Sequence, residues 1–79
     1  MKTKDEIVQQ YEDRAKNTLK AELKRRGLTY AQLAEKLKER GINENERNLG
    51  NKISRGSFTT AFFLMCMDAI GASQLQLET

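Results

Sequence analysis

Residues 29–56 read TYAQLAEKLKERGINENERNLGNKISRG, and this stretch predicts two short helices joined by a tight turn. Thr29 and Gln32 fit a capping box, in which the threonine oxygen accepts a backbone N–H and the glutamine reaches back. Leu33 and Leu37 lie four residues apart and form a buried edge. The first helix of the pair therefore begins at a defined residue and has one apolar face.

The second helix of the pair follows Gly41, which ends the first. Residues 43–46 read NENE, a capping sequence with acids in the first turn, where the helix dipole favours negative charge. Leu49 and Ile53 point inward, and Gly56 ends this helix. The side chains left outside are those of Arg47, Asn48, Asn51, Lys52 and Arg55.

Helical patterns flank this pair on both sides. The segment 4–26 carries an apolar residue at every fourth position, namely Ile7, Tyr11, Ala15, Leu19 and Leu23. Asn17 leaves open one long helix or two shorter ones. Residues 60–70 predict a further helix that is apolar on nearly every face. The tail 73–79 alternates polar and apolar residues, which leaves a strand and a short helix both open.

A length of 79 residues limits the chain to one domain, and the helical patterns predict that this domain is all-α. We expect an N-terminal helical extension at 1–16, a core at 17–72 and a tail at 73–79. A single cysteine excludes an internal disulfide, and the absence of histidine argues against a metal site. No signal peptide and no membrane-spanning run are visible, so a cytoplasmic protein is expected. Nothing indicates a cofactor or an enzyme.

The net charge of +3 is unevenly distributed. Residues 1–13 carry two Lys against four Asp or Glu, whereas residues 14–40 carry nine Lys or Arg against three Glu. A basic middle is what a phosphate-binding face leaves in a sequence. Arg25, Arg26 and Lys36 are the predicted phosphate anchors beside the second helix of the pair. Arg55 is either another phosphate contact or a helix cap.

The outward side chains of the second helix suit the reading of DNA bases. Asparagine offers a paired donor and acceptor to adenine, and arginine offers paired donors to guanine. The second helix of such a pair fits the major groove, and its N-terminal half reaches the base edges. We expect double-stranded DNA to be contacted by Asn45, Arg47, Asn48, Asn51 and Lys52. Glu44 and Glu46 stand at the same end, where carboxylates repel phosphate.

The chain also resembles a known family. Residues 19–71 are similar to the λ-repressor-like (Cro-like) helix-turn-helix domains, through LKAELKRRGLT (19–29), LAEKL (33–37), ISRG (53–56) and DAIG (68–71). More narrowly, LGNKISRG (49–56) and FTTAFF (58–63) resemble an uncharacterised bacterial domain family on that scaffold. The resemblance implies a four- or five-helix fold and a DNA-binding transcriptional regulator. It puts Tyr30 where the family has a phosphate-contacting glutamine.

The fourth helix predicts self-association. Counting back from Gly71, its outward positions fall near 61, 62, 65 and 68, which exposes Phe62 and Met65 on one face. An exposed apolar patch on a small domain marks a contact surface, and a homodimer is the commonest way to cover it. Leu75 and Leu77 extend this predicted interface. The alternative is that Ile7, Val8 and Tyr11 fold over Phe62 and Met65 within one chain.

A second class of function is compatible with the same pattern. A protein-interaction module that keeps the scaffold and has lost DNA binding accounts for Glu44, Glu46 and the tyrosine at position 30. Salt dependence separates the two, because phosphate contacts weaken steeply as salt rises.

Overall fold

The computed structural model describes residues 1–77, and within them it has four α-helices and no strand. The helices are α1 (Lys4–Arg25), α2 (Tyr30–Glu39), α3 (Glu46–Arg55) and α4 (Thr60–Ala69). The predicted all-α class is confirmed, with a helix number inside the predicted range. The first segment is one continuous helix, and the exposed Asn17 does not interrupt it.

Each helix begins at a residue whose side chain accepts a backbone hydrogen bond from three residues further on; these are Thr3, Thr29, Asn45 and Thr59. The capping box is confirmed, since the Gln32 N–H donates to Oγ1 of Thr29 at 3.2 Å and the Thr29 N–H donates to Oε1 of Gln32 at 2.8 Å. In the segment 43–46 the cap is Asn45, and α3 begins at the next residue. Local capping chemistry thus fixes where the helices begin.

The end of α3 is held against α1 by Gly56. This glycine has a φ of 69° and is buried, and a Cβ built on it would lie 2.7 Å from the carbonyl carbon of Glu12. Any other residue would meet the backbone of α1 there. The close approach brings the two helices into direct contact and sets the position of α3.

The core lies where α3 packs against α1 and α2, and where α4 packs against α2. Its buried apolar residues come from all four helices: Leu19, Leu23, Leu33, Leu37, Leu49, Ile53, Phe62, Cys66, Met67 and Ala69. Leu49 and Ile53 have no exposed surface at all, as their four-residue spacing predicts. They anchor the inner side of α3 and leave its other side to the solvent.

The N-terminal half of α1 projects beyond this core. With 22 residues, α1 is about 33 Å long, which exceeds the molecule's two shorter dimensions of 23 and 19 Å. Of the predicted stripe only Leu19 and Leu23 are buried, whereas Ile7 and Tyr11 are exposed. Covering of Phe62 and Met65 by this segment is therefore not observed.

The predicted outward positions of α4 are confirmed at Ala61 and Asp68 but wrong at Phe62 and Met65. Phe62, expected to face outward in a dimer contact, is buried, with its ring centroid 5.7 Å from that of Phe58. Met65 is half-buried and packs against the core. Apart from Thr60 at its start, the exposed positions of α4 share one face and hold Ala61, Leu64 and Asp68. Because α4 is apolar all round, its sequence alone does not say which side meets the core.

Residues 73–77 form neither a helix nor a strand, so neither alternative for the tail holds where it is described; residues 78–79 lie outside the described part. Leu75 and Leu77 are exposed, as predicted, but they line a groove with α1 and the start of α4. Within residues 1–77 no helix has both the length and the apolar character to cross a membrane.

Candidate nucleic-acid interface

The outer face of α3 carries three long polar side chains in one line. Arg47, Asn51 and Arg55 are four residues apart, so steps of about 100° per residue place them on the same side of the helix. All three are exposed, and the buried Leu49 and Ile53 hold the opposite side. The core therefore orients this line of side chains toward the solvent.

These three side chains make no hydrogen bond or ion pair with any described residue. A guanidinium group carries five donors in a planar fork, and a carboxamide carries two donors and an acceptor. Their hydrogen-bonding capacity is thus available to a ligand. Arg55 lies in the last turn of α3, while Gly56 is the residue that caps it.

Asn45 and Asn48 lie at the start of α3, and the side chain of Asn45 already makes one hydrogen bond within the fold. Oδ1 of Asn45 accepts the Asn48 N–H at 2.8 Å, so this oxygen serves as the helix cap. The amide nitrogen of Asn45 and the whole carboxamide of Asn48 make no hydrogen bond within residues 1–77. The two residues add donors beside Arg47, but Asn45 has less to offer a base than its type predicts.

Lys52 is engaged within the fold. Its ammonium group forms an ion pair with Glu44, whose side chain is only 10% exposed, and lies 5.2 Å from the ring centroid of Phe62. Glu44 is eight residues earlier, before the start of α3. The pair neutralises one of the two acids that stand at the end of α3 expected to face phosphate, which leaves Glu46 as the exposed one.

Tyr30 lies between α3 and a groove on α1. A Cβ built on Gly50 would lie 3.5 Å from Cδ2 of Tyr30, so the ring rests on α3 where that helix has no side chain. Tyr30 also lines an open groove with Lys20 and Lys24. Partial burial raises the pKa of the Tyr30 hydroxyl, so the group keeps its proton at neutral pH. The contact of Tyr30 with Gly50 of α3 thus adjoins a groove that carries two lysines of α1.

Arg25 and Arg26, two of the predicted phosphate anchors, are occupied elsewhere. Both form ion pairs with Glu22, which is 3% exposed. The Arg25 hydrogen bond, followed by that of Arg26, lowers the pKa of Glu22 against the opposing effect of its burial. These arginines therefore balance a buried carboxylate. Lys36 is half-buried and lies about 120° around α2 from Tyr30, on a different flank.

Sequence reasoning passed over Lys20 and Lys24 in favour of the adjacent arginines. Two signals were present in the sequence. Lys20 and Lys24 are four residues apart and share one stripe, and Glu22 is three and four residues before the two arginines, which is ion-pairing distance on a helix. Tyr30 as the neighbour of these lysines had no such signal, because it depends on how α2 packs.

The model of the family described as Domain of unknown function (DUF6471) matches residues 11–75, which is most of the 79 residues. The match is consistent with the resemblance to an uncharacterised domain family. No curated protein and no solved structure matches the chain.

Proposed function

This chain belongs to the DUF6471 family, and we propose that it is a DNA-binding protein that reads base sequence through α3 and acts as a transcriptional regulator. The α2–α3 pair serves as a helix-turn-helix, with α3 in the major groove. The proposed activity is binding, with no catalytic step.

The observation that carries the proposal is the line of Arg47, Asn51 and Arg55 on the outer face of α3. These are the residue types that read guanine and adenine, and they stand on one exposed side of a helix. A helix fits the major groove, and the side chains of its N-terminal half reach the base edges. Arg47 lies in that half and contacts a base, Asn51 follows one turn later on the same face and contacts the next, and Arg55 at the far end contacts the backbone.

The surface beside α3 supports binding to phosphate. Lys20 and Lys24 lie next to Tyr30, whose ring rests on Gly50 of α3. Ammonium groups neutralise phosphates, and the protonated tyrosine hydroxyl is a donor. The Glu44–Lys52 ion pair reduces the repulsion expected of an acid at this end. These contacts set the register in which α3 reads the bases.

The test is a binding measurement by fluorescence anisotropy on DNA selected from a random duplex pool. Replacing Arg47 or Asn51 by Ala should cost about 1–3 kcal/mol and relax the preference at one base position. Lys20→Ala should weaken binding to all DNA sequences alike. It should also reduce the slope of log affinity against log salt concentration by the contribution of about one phosphate contact. Lys4→Ala removes the same charge at the remote end of α1 and is the control.

Failure of the wild-type chain to bind any duplex at low salt would refute the proposal. So would a selected sequence whose affinity does not change with Arg47→Ala and Asn51→Ala.

The second candidate function is a protein-interaction module, and one observation favours it. Ile7, Val8 and Tyr11 on α1 and Leu75 and Leu77 in the tail are large apolar side chains exposed to solvent. Binding to a protein partner through this surface would depend weakly on salt, unlike binding to phosphates.

A further inference from the structure

The projecting half of α1 carries an apolar stripe that no residue of 1–77 covers. Ile7 is 43% exposed, Val8 44% and Tyr11 60%, and none of them packs against the core. A helical segment of this length without tertiary contacts is marginally stable in water. The stripe therefore lacks the packing partner that an amphipathic helix requires.

The stripe continues into an open groove beside the core. Four residues of α1 form one wall: Tyr11, Arg14, Ala15 and Thr18. The opposite walls come from the start of α4 and the tail: Phe58, Thr59, Thr60, Phe63, Leu75 and Leu77. The rings of Phe58 and Phe63 stack with centroids 6.1 Å apart and planes 5° from parallel. The groove encloses about 360 Å³ and is mostly apolar.

We propose that a second copy of this chain covers this surface, with the two α1 helices packed antiparallel about Tyr11. In this arrangement Ile7 of one copy comes level with Ala15 of the other, and its side chain enters the groove between α1, Phe58 and Phe63. The contact is reciprocal, so one two-fold axis buries both stripes and both grooves. The proposal does not rest on DNA binding.

The charge of α1 favours this occupant and this direction. Residues 4–13 of α1 hold Lys4 against four acids, whereas residues 14–25 hold five Lys or Arg against Glu22. Antiparallel packing brings the acidic half of each copy alongside the start of the basic half of the other, so the attraction acts between whole helix halves rather than through one ion pair. Parallel packing would set the acidic halves against each other and the basic halves against each other, which is unfavourable.

The two lysines of the candidate DNA-binding surface stay accessible in such a dimer. Steps of about 100° per residue separate the groove side of α1, at Tyr11 and Thr18, from Lys20 and Lys24 by about 150°. The dimer contact and the candidate DNA contact therefore occupy nearly opposite sides of the same helix.

Sedimentation equilibrium across the micromolar range tests the association. The wild-type chain should sediment as a dimer, and Ile7→Glu should raise the dimer dissociation constant roughly tenfold or more, because a carboxylate would have to be desolvated in an apolar contact. Leu64→Glu makes the same change at a residue that is 59% exposed on α4, outside the groove, and should leave the dimer intact. Circular dichroism should show a helix content that rises with protein concentration for the wild-type chain. The helix content of Ile7→Glu should not change with concentration.

Disulfide trapping tests the direction of packing. A mixture of Ile7→Cys and Ala15→Cys chains should form a crosslink between copies, whereas Ile7→Cys alone should not. The native thiol does not interfere, since Cys66 is fully buried and that burial raises its pKa to about 12. A wild-type monomer at high micromolar concentration, dissociation by Leu64→Glu but not Ile7→Glu, or crosslinking of Ile7→Cys to itself would each overturn the proposal.

Discussion

At the scale of single residues, Gly56 is the position with least freedom to change. It combines a φ of 69° with a buried site against the backbone of Glu12. Gly56→Ala should lose about 1–2 kcal/mol for the left-handed conformation and a further 1–3 kcal/mol for the clash, because neither backbone can move aside cheaply. Urea unfolding followed by circular dichroism measures the loss.

Gly71→Ala is the matched control for this substitution. Gly71 has a φ of 76° and no atom within 4 Å of a built Cβ, so only the conformational cost should appear. Equal destabilisation by the two alanines would mean that α3 does not press on α1 at Glu12.

Glu22 is the residue that links stability to pH. Its folded pKa lies below the reference value of 4.5, because the hydrogen bonds from Arg25 and Arg26 outweigh the effect of burial. A lowered folded pKa means that the contribution to stability is complete above 4.5 and is lost as pH falls through the folded value. The free energy of unfolding should therefore fall in mild acid.

Glu22→Gln should remove this part of the pH dependence and cost about 1–3 kcal/mol at neutral pH, since two guanidinium groups lose a charged acceptor. Glu35→Gln, at an exposed residue without an ion pair in residues 1–77, should change neither quantity. If Glu22→Gln leaves the pH at which the free energy of unfolding falls unchanged, the Glu22 carboxylate is not the cause of that fall.

At the scale of helices, the contact between α2 and α3 depends on Gly50 and Tyr30. Glycine inside a helix costs about 0.5–1 kcal/mol relative to alanine. The new Cβ of Gly50→Ala would lie 3.5 and 3.6 Å from two ring carbons of Tyr30, which is ordinary van der Waals contact. Alanine should therefore raise the unfolding free energy by that amount, as measured in urea.

A side chain larger than alanine at position 50 should lower the free energy of unfolding instead of raising it. Gly50→Leu would displace the Tyr30 ring, lower stability and weaken DNA binding at the adjoining lysines. Loss of stability with Gly50→Ala itself would show that the ring sits closer to α3 than the structure places it.

The limits of sequence reasoning also lie at the helix scale. Helix starts were predictable because Thr29 and Gln32 act locally, and the outer face of α3 followed from the spacing of Leu49 and Ile53. The orientation of α4 was not predictable, because an all-round apolar helix has no periodic signal. The ion pair of Glu44 with Lys52 spans the start of α3, so no spacing within a helix reveals it.

At the scale of the whole molecule, the unexpected feature is the uncovered N-terminal half of α1. The stripe from Ile7 to Leu23 predicts one buried face, but the remaining helices of a short chain cover only its C-terminal part. The spacing of apolar residues predicts that one face of the helix is buried in a contact. It does not predict whether the contact is within the chain or with a second copy. The predicted dimer contact moves accordingly from α4 to α1, with Leu75 and Leu77 kept.

The two proposals combine into one expectation about DNA. A two-fold dimer presents two copies of α3, so duplexes with two inverted half-sites should bind more tightly than a single half-site, by roughly 10²–10⁴-fold when the spacing fits both helices. Anisotropy titrations over a series of spacings measure this gain. Ile7→Glu should abolish the gain and leave single half-site affinity unchanged, because it breaks the dimer on the side of α1 away from Lys20 and Lys24. Leu64→Glu should keep both the gain in affinity from two half-sites and the affinity for a single half-site. If Ile7→Glu weakens the single half-site equally, the stripe on α1 supports the DNA-binding surface itself and the two surfaces are not independent.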